Sequence, residues 1–237
     1  MKTVLWLGGW GSSWPQLHPW LSPLAPEAVW INIDPHQVSR NPEYLAATLQ
    51  AADGPTMVLA WSLGALQLLH YLQAQGWPAK LPVVLLSPIA RLSGSGAPWP
   101  TRVLDRMRNR LRKDPDTVLE EFCGLMVGDN HSEASDSFCR SWLESAKAQS
   151  LSDLDAGLEA LQALRLGDGP YPFSTPNLFL IGDPQDPISP FDLEEWRRRL
   201  PRAIHRPAAV GHIPFLFDFQ VVKWAMDQAL SLCEEKV

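Results

Sequence analysis

The chain has 237 residues, 46% of them hydrophobic and 19% charged, enough apolar material for one large domain with a buried core. A formal net charge of −6 argues against a nucleic-acid partner, and the eleven tryptophans argue against a disordered or fibrous chain. Cys123, Cys139 and Cys233 are odd in number and widely spaced, which suits reduced thiols better than a disulfide framework or a metal site. The opening apolar run stops at Gly8-Gly9, short of a signal-peptide core. No stretch approaches the ~20 apolar residues of a membrane span, so a cytoplasmic monomer with no membrane partner is expected.

In chain order, Thr3–Leu7 is short, apolar and ended by glycine, and predicts a buried strand. Gly8-Gly9-Trp10-Gly11-Ser12-Ser13 follows as a loop whose backbone N–H groups can approach a ligand closely. It lacks the full phosphate-loop and dinucleotide patterns. Residues 14–24 predict a short helix and residues 28–33 a second strand ending at Asp34-Pro35. Asn41-Pro42 starts a helix to residue 51, with asparagine as N-cap and proline at the first helical position. Asp53-Gly54-Pro55 reads as a turn. Strands are predicted over 56–61 and 81–86, the latter ending at Ser87-Pro88, with a helix over 63–75 between them. Strands alternating with helices at this pitch indicate βαβ crossovers and a mostly parallel sheet.

After Ala90 the pattern changes. Ser93-Gly94-Ser95-Gly96-Ala97-Pro98-Trp99-Pro100 is linker-like, and residues 101–166 read as several helices. The last carries Leu154, Leu158, Leu161 and Leu164 at helical spacing. The expected division is a core of residues 1–92 and 167–237 with a helical cap inserted over 93–166. The sheet pattern resumes with a strand over 177–181, the loop Gly182-Asp183-Pro184-Gln185-Asp186-Pro187 and a helix over 191–200. A short strand over 203–206, the loop Val210-Gly211-His212-Ile213-Pro214 and a helix over 215–233 complete the chain.

The strand over 56–61 runs into Ser62, with Ala60 two residues before it and Gly64 two after. A strand, Ser-x-Gly and a helix are the layout of a nucleophile elbow, where small flanking residues let strand and helix pass closely. The motif here is A-x-S-x-G, and the competing reading is a serine at an ordinary helix N-cap. A serine hydroxyl needs a base to take its proton, commonly histidine, and a carboxylate to hold that histidine's tautomer. Ser62, Asp186 and His212 occur in the order serine, acid, histidine. Each falls in a loop at the carboxyl end of a predicted strand, where open α/β sheets place their sites. Asp183 shares the loop of Asp186 and stays open as the acid, with Asp34 a more distant alternative. His18 and His36 read as loop residues before the elbow, His70 lies on the elbow helix, His131 in the cap and His205 inside the last strand. The expected oxyanion donors are the backbone N–H groups of Leu63 and Trp10. Arg102, Arg106, Arg108, Arg110, Arg112 and Lys113 make a basic run broken only by Asp105, with Arg102, Arg106, Arg110 and Lys113 on one helical face. That face reads either as a docking surface for an acidic partner or as a solvated face.

Four segments carry a family resemblance: Gly9-Trp10-Gly11, Trp61-Ser62-Leu63-Gly64, Leu154-Asp155-Ala156-Gly157-Leu158-Glu159-Ala160-Leu161 and Gly211-His212-Ile213-Pro214-Phe215. The chain resembles the α/β-hydrolases. Among them it is most similar to the pimeloyl-[acyl-carrier protein] methyl ester esterases of biotin synthesis. The resemblance implies a mostly parallel sheet with a helical cap, a Ser62–His212–Asp186 triad, and hydrolysis of a methyl ester on an acyl chain borne by acyl-carrier protein, with no metal or cofactor. It leaves open another acyl ester or thioester as substrate, a lyase of menaquinone synthesis, and a decayed binding protein. The chain departs from the family at Gly8, where a histidine is usual, and at Ala60, where glycine is usual.

Overall fold

The computed structural model describes residues 2–52, 54–76, 81–171 and 177–234. The six strands are β1 (Thr3–Leu7), β2 (Val29–Ile33), β3 (Thr56–Trp61), β4 (Val83–Leu86), β5 (Leu178–Gly182) and β6 (Ile204–Pro207). They form one sheet in the order β2-β1-β3-β4-β5-β6. Every neighbouring pair is parallel, with Leu7 beside Ala60 and Trp61 beside Leu86. Parallel pairing requires crossover connections. These are α1 (Trp14–Leu21), then α2 (Pro35–Arg40) and α3 (Pro42–Ala51), and then α4 (Leu63–Gln75).

Four helices lie between β4 and β5: α5 (Thr101–Leu111), α6 (Pro115–Val127), α7 (Glu133–Lys147) and α8 (Leu151–Ala163). After β5 come α9 (Leu193–Arg199), β6, the one-turn α10 (Pro214–Phe217) and α11 (Phe219–Glu234).

Strand alternation divides the core between the two sheet faces. Val4, Trp6, Met57, Leu59, Trp61, Val84 and Leu86 point to one face, against α11 and the inserted helices. Leu5, Leu7, Val58, Ala60, Val83 and Leu85 point to the other, where Leu68, Leu69 and Leu72 of α4 cover them. Phe122, Phe138, Trp142, Leu154, Leu158 and Leu161 of the inserted helices belong to the first of these clusters. The α5–α8 layer is therefore continuous with the sheet's own core. Among the described residues no helix is long and apolar enough to cross a membrane.

Several expectations change in detail. Residues 35–40 form α2, so His36 is helical; Asp34, expected to close a strand, also N-caps α2 through its side chain. His18 likewise lies within α1. The terminal helix is interrupted at Asp218 and begins again at Phe219. Of the expected turn at 53–55, Asp53 lies outside the described residues. The cysteine reading is overturned: Cys123 of α6 and Cys139 of α7 are joined in a disulfide, and Cys233 stays outside it as a buried thiol. Sixteen residues separate the two partners, but antiparallel packing of α6 on α7 brings them together, a tertiary contact that sequence spacing does not carry.

Candidate active site

The turn after β3 places Ser62 at φ 54°, ψ −116°, a left-handed conformation that L-residues rarely adopt. Three local bonds and contacts hold it there. Ser62 N–H donates to Leu86 O at 3.0 Å, tying the turn to β4. Gly64 N–H donates to Gly8 O at 3.1 Å, tying the start of α4 to the loop after β1. A Cβ on Gly64 would stand 2.4 Å from Leu7 O and 2.6 Å from Gly8 O, so only glycine fits. Ala60, the departure two residues before the serine, is fully buried inside β3 and its methyl is accommodated on the α4 face.

From this turn a buried chain of hydrogen bonds runs through three side chains. Ser62 Oγ lies 2.9 Å from His212 Nε2. His212 Nδ1 lies 2.7 Å from Asp186 Oδ2. The other Asp186 oxygen accepts from Ile188 N–H at 2.8 Å. His212 is 0% exposed and Asp186 1%, so water does not compete for these bonds. With Asp186 accepting at Nδ1, the neutral imidazole carries its proton there and presents a lone pair at Nε2 to the serine hydroxyl. The arrangement can therefore take a proton from Ser62 and stabilise the imidazolium that results.

The two candidate acids separate clearly. Asp183 points away from the imidazole and accepts from Gln185 N–H at 2.7 Å and Gly211 N–H at 2.8 Å. It thereby shapes the loop that carries His212. Asp34 caps α2.

Two residues that sequence reasoning passed over hold the histidine from behind. The Trp61 indole N–H donates to His212 O at 2.7 Å. The Ser87 hydroxyl donates to the same oxygen at 3.1 Å. Ser87 is the other non-glycine residue at positive φ, 42°. Its position directly after a strand, before proline, was the available signal.

The loop after β1 reaches the nucleophile at Gly9, where a Cβ would lie 3.3 Å from Ser62 Cβ. The Leu63 N–H is the first of α4 and has no intrahelical acceptor. Trp10 follows Gly9 in that approaching loop. The Trp10 side chain turns into the inserted helices. Its indole N–H donates to Leu154 O at 2.8 Å, and its ring packs edge-on to Phe122 at 4.9 Å. A Cβ on Gly157 of α8 would come within 2.6 Å of that ring. Helix α7 holds the neighbouring residues: Ser145 Oγ donates to Gly11 O at 3.3 Å, and beyond its end Gln149 Nε2 donates to Ser12 O at 3.3 Å. A side chain at position 8 would force Ser12 Oγ to move, because a Cβ there would stand 2.3 Å from it. Ser12 Oγ donates to Gly9 O at 2.7 Å and closes the loop from within.

The basic face of α5 is only partly free. Arg110 makes a two-pronged pair with Glu121, both contacts 2.7 Å, and Arg108 and Arg112 hold Asp155 at 2.8 and 2.9 Å. Arg102 and Arg106 are exposed and have no ion-pair partner among the described residues. Lys113 lies beyond the end of α5. A cavity of about 530 Å³ runs between α4 and α8, past Gln67, Tyr71 and Ala160, but Ser62 and His212 are not in its walls. No group of three or more His, Cys, Asp or Glu able to hold a metal occurs among the described residues.

Sheet order, the turn at Ser62 and the helices between β4 and β5 together define an α/β-hydrolase fold. Solved structures carry the same fold. An esterase from Exiguobacterium antarcticum superposes with a TM-score of 0.79 at 16% identity, covering 98% of this chain and 92% of its own. An esterase from a Rhodococcus species matches at 0.74 and 19%, covering 97% and 90%. A bromoperoxidase from Bacillus anthracis matches at 0.72 and 17%, covering 99% and 92%. No protein-family model and no curated protein sequence matches the chain.

Proposed function

We propose that the chain is a serine carboxylesterase that hydrolyses the methyl ester of a pimeloyl group carried on acyl-carrier protein, the step found in biotin synthesis. The observation that carries the esterase reading is the buried Ser62–His212–Asp186 chain, 2.9 and 2.7 Å. Ser62 Oγ attacks the ester carbonyl as His212 Nε2 takes its proton. The oxyanion forms beside the N–H groups of Leu63 and Trp10. His212 returns the proton to the departing methanol, and water, activated by the same nitrogen, cleaves the acyl-enzyme. Asp186 keeps Nδ1 protonated throughout.

The substrate rests on the sequence resemblance and on α5. Arg102 and Arg106, open to solvent, offer positive charge to an acidic carrier, whereas Arg110 is already paired with Glu121. A second reading is a general ester or thioester hydrolase, supported by fold likeness to structures named as esterases. The deciding assay offers purified protein pimeloyl-acyl-carrier-protein methyl ester and a short p-nitrophenyl ester, with Ser62→Ala beside it. Cleavage of the carrier-bound ester, absent in Ser62→Ala, supports the first reading. Cleavage of the short ester alone leaves the second. Cleavage of neither removes both.

A further inference from the structure

Beside Ser12 and Ser13, at the end of the loop that carries Trp10, lies a smaller cavity of about 160 Å³ without Ser62 in its walls. This is far above the ~10–15 Å³ that one water needs. Trp6 and Trp14 give it apolar walls, and Asp34, His36 and Gln149 give it polar ones. Pro15 at its rim is exposed, so the cavity is reachable from solvent.

Two buried polar atoms without any hydrogen-bond partner belong to these walls, His36 Nε2 and Gln149 Oε1. Both are acceptors. His36 is only 4% exposed, and its Nδ1 lies 3.1 Å from the Asp153 carbonyl, which can only accept, so Nδ1 carries the proton. Burial first, and Arg40 second, push the imidazole below its usual range against the pull of Asp34, which keeps Nε2 unprotonated. Gln149 spends its amide N–H on Ser12 O and so turns its oxygen inward. The third acceptor is charged. Asp34 uses Oδ1 on His36 N–H at 2.9 Å and has no ion-pair partner among the described residues. Asp153, the other acid at the cavity, is already taken by Arg40. An occupant rich in donors meets these acceptors.

We propose that this cavity binds a small primary alkylammonium ion. Its three N–H donors match His36 Nε2, Gln149 Oε1 and the Asp34 carboxylate, and its alkyl group lies against Trp6 and Trp14. A neutral hydroxyl compound meets the two neutral acceptors but leaves the carboxylate without a countercharge. The site adjoins the oxyanion loop, because Ser12 and Gln149 belong both to the cavity and to the contacts that hold Gly9 and Ser12. Occupancy therefore stiffens the loop that presents Trp10.

The test is calorimetric titration of the full chain with ethylammonium chloride, with sodium chloride and glycerol as parallel titrants. Saturable one-to-one binding of ethylammonium alone is the expected result. Asp34→Asn keeps the helix cap, since asparagine caps as well as aspartate, and weakens binding about tenfold by removing the charge. Gln149→Leu removes the Oε1 acceptor and also weakens binding. Equal heats with sodium, binding of glycerol as tight as the amine, or an affinity unchanged in both variants would overturn the proposal. So would the absence of saturable binding to the folded wild-type chain. None of these readouts depends on ester hydrolysis, so failure here is distinct from failure of the esterase reading.

Discussion

The Ser62 turn and the loop that carries Trp10 lie side by side but are held by different parts of the molecule. The serine turn is fixed by backbone: Leu86 O, Gly8 O and the missing Cβ of Gly64 determine it within the sheet and its first crossover. The Trp10 loop is fixed by side chains that the inserted helices supply, through Leu154 O, Ser145 and Gln149. The difference teaches that the shape of the Ser62 turn is a property of the sheet, whereas the shape of the Trp10 loop is a property of the inserted helices. Variation in α7 and α8 can retune the second without touching the first.

The comparison can be broken from either end. Ser62→Ala removes the nucleophile and lowers kcat on the order of 10⁶-fold, with His212→Ala adding nothing further in the double variant; steady-state kinetics checks both. Asp186→Asn puts the imidazole in the wrong tautomer and costs about 10⁴-fold. Asp183→Asn, which only loosens the His212 loop, costs far less, and equal losses would mean the acid is misassigned. On the cap side, Gly157→Ala pushes on the Trp10 ring from α8. Its expected effect is a fall in kcat of about tenfold, below the ~10²–10³ of losing an oxyanion donor outright, with KM little changed and the Ser62–His212 hydrogen bond intact. A structure of Gly157→Ala with Trp10 unmoved would show that α8 does not set the loop.

The smallest effect is on stability. Burial holds the folded His36 imidazole below its ordinary value, so the unfolded chain takes up the proton first as pH falls. The contribution is complete above ~6.5, the unfolded value, and is lost as pH drops below it toward the folded value. His36 meets Asp34 and Arg40 on its own segment and the Asp153 backbone from α8. Urea unfolding of His36→Gln between pH 7.5 and 5 should show a shallower loss than the wild type, with His205, shifted down by burial in the same direction, unchanged in both.

Sequence made the sheet legible because its strands are apolar runs ended by glycine, proline or serine, as at Leu7-Gly8 and Leu86-Ser87-Pro88. Order and spacing likewise brought out Ser62, Asp186 and His212. The rest depended on contacts between distant segments. Helix α2 has a single interior aliphatic residue, Val38, too little for a periodic signal, and its start looked like a turn at Asp34-Pro35. The Trp61 and Ser87 bonds to His212 O join positions 151 and 125 residues apart; nothing local announces the first, and the second has only the place of Ser87 between strand and proline as a signal. The basic run on α5 was visible as charge. That Arg110 is neutralised by Glu121 required knowing that α6 folds back on α5.

The place of the inserted helices also bears on how the chain is made. Strand β4 pairs with β5 across roughly 90 intervening residues. At ~5–20 residues per second, the outer edge of Val83–Leu86 waits on the order of 5–20 s on the ribosome for its partner. An apolar strand edge left open that long invites pairing with other chains. The segments emerging in that interval are α5 to α8, which pack partly on one another, α5 with α6 and α8 and α6 with α7, and partly on the earlier helices α1, α2 and α4. They can fold while the sheet is still half built. Chain order thus lets α5 to α8 pack on the sheet's first helices before β5, Asp186 and His212 arrive to complete it.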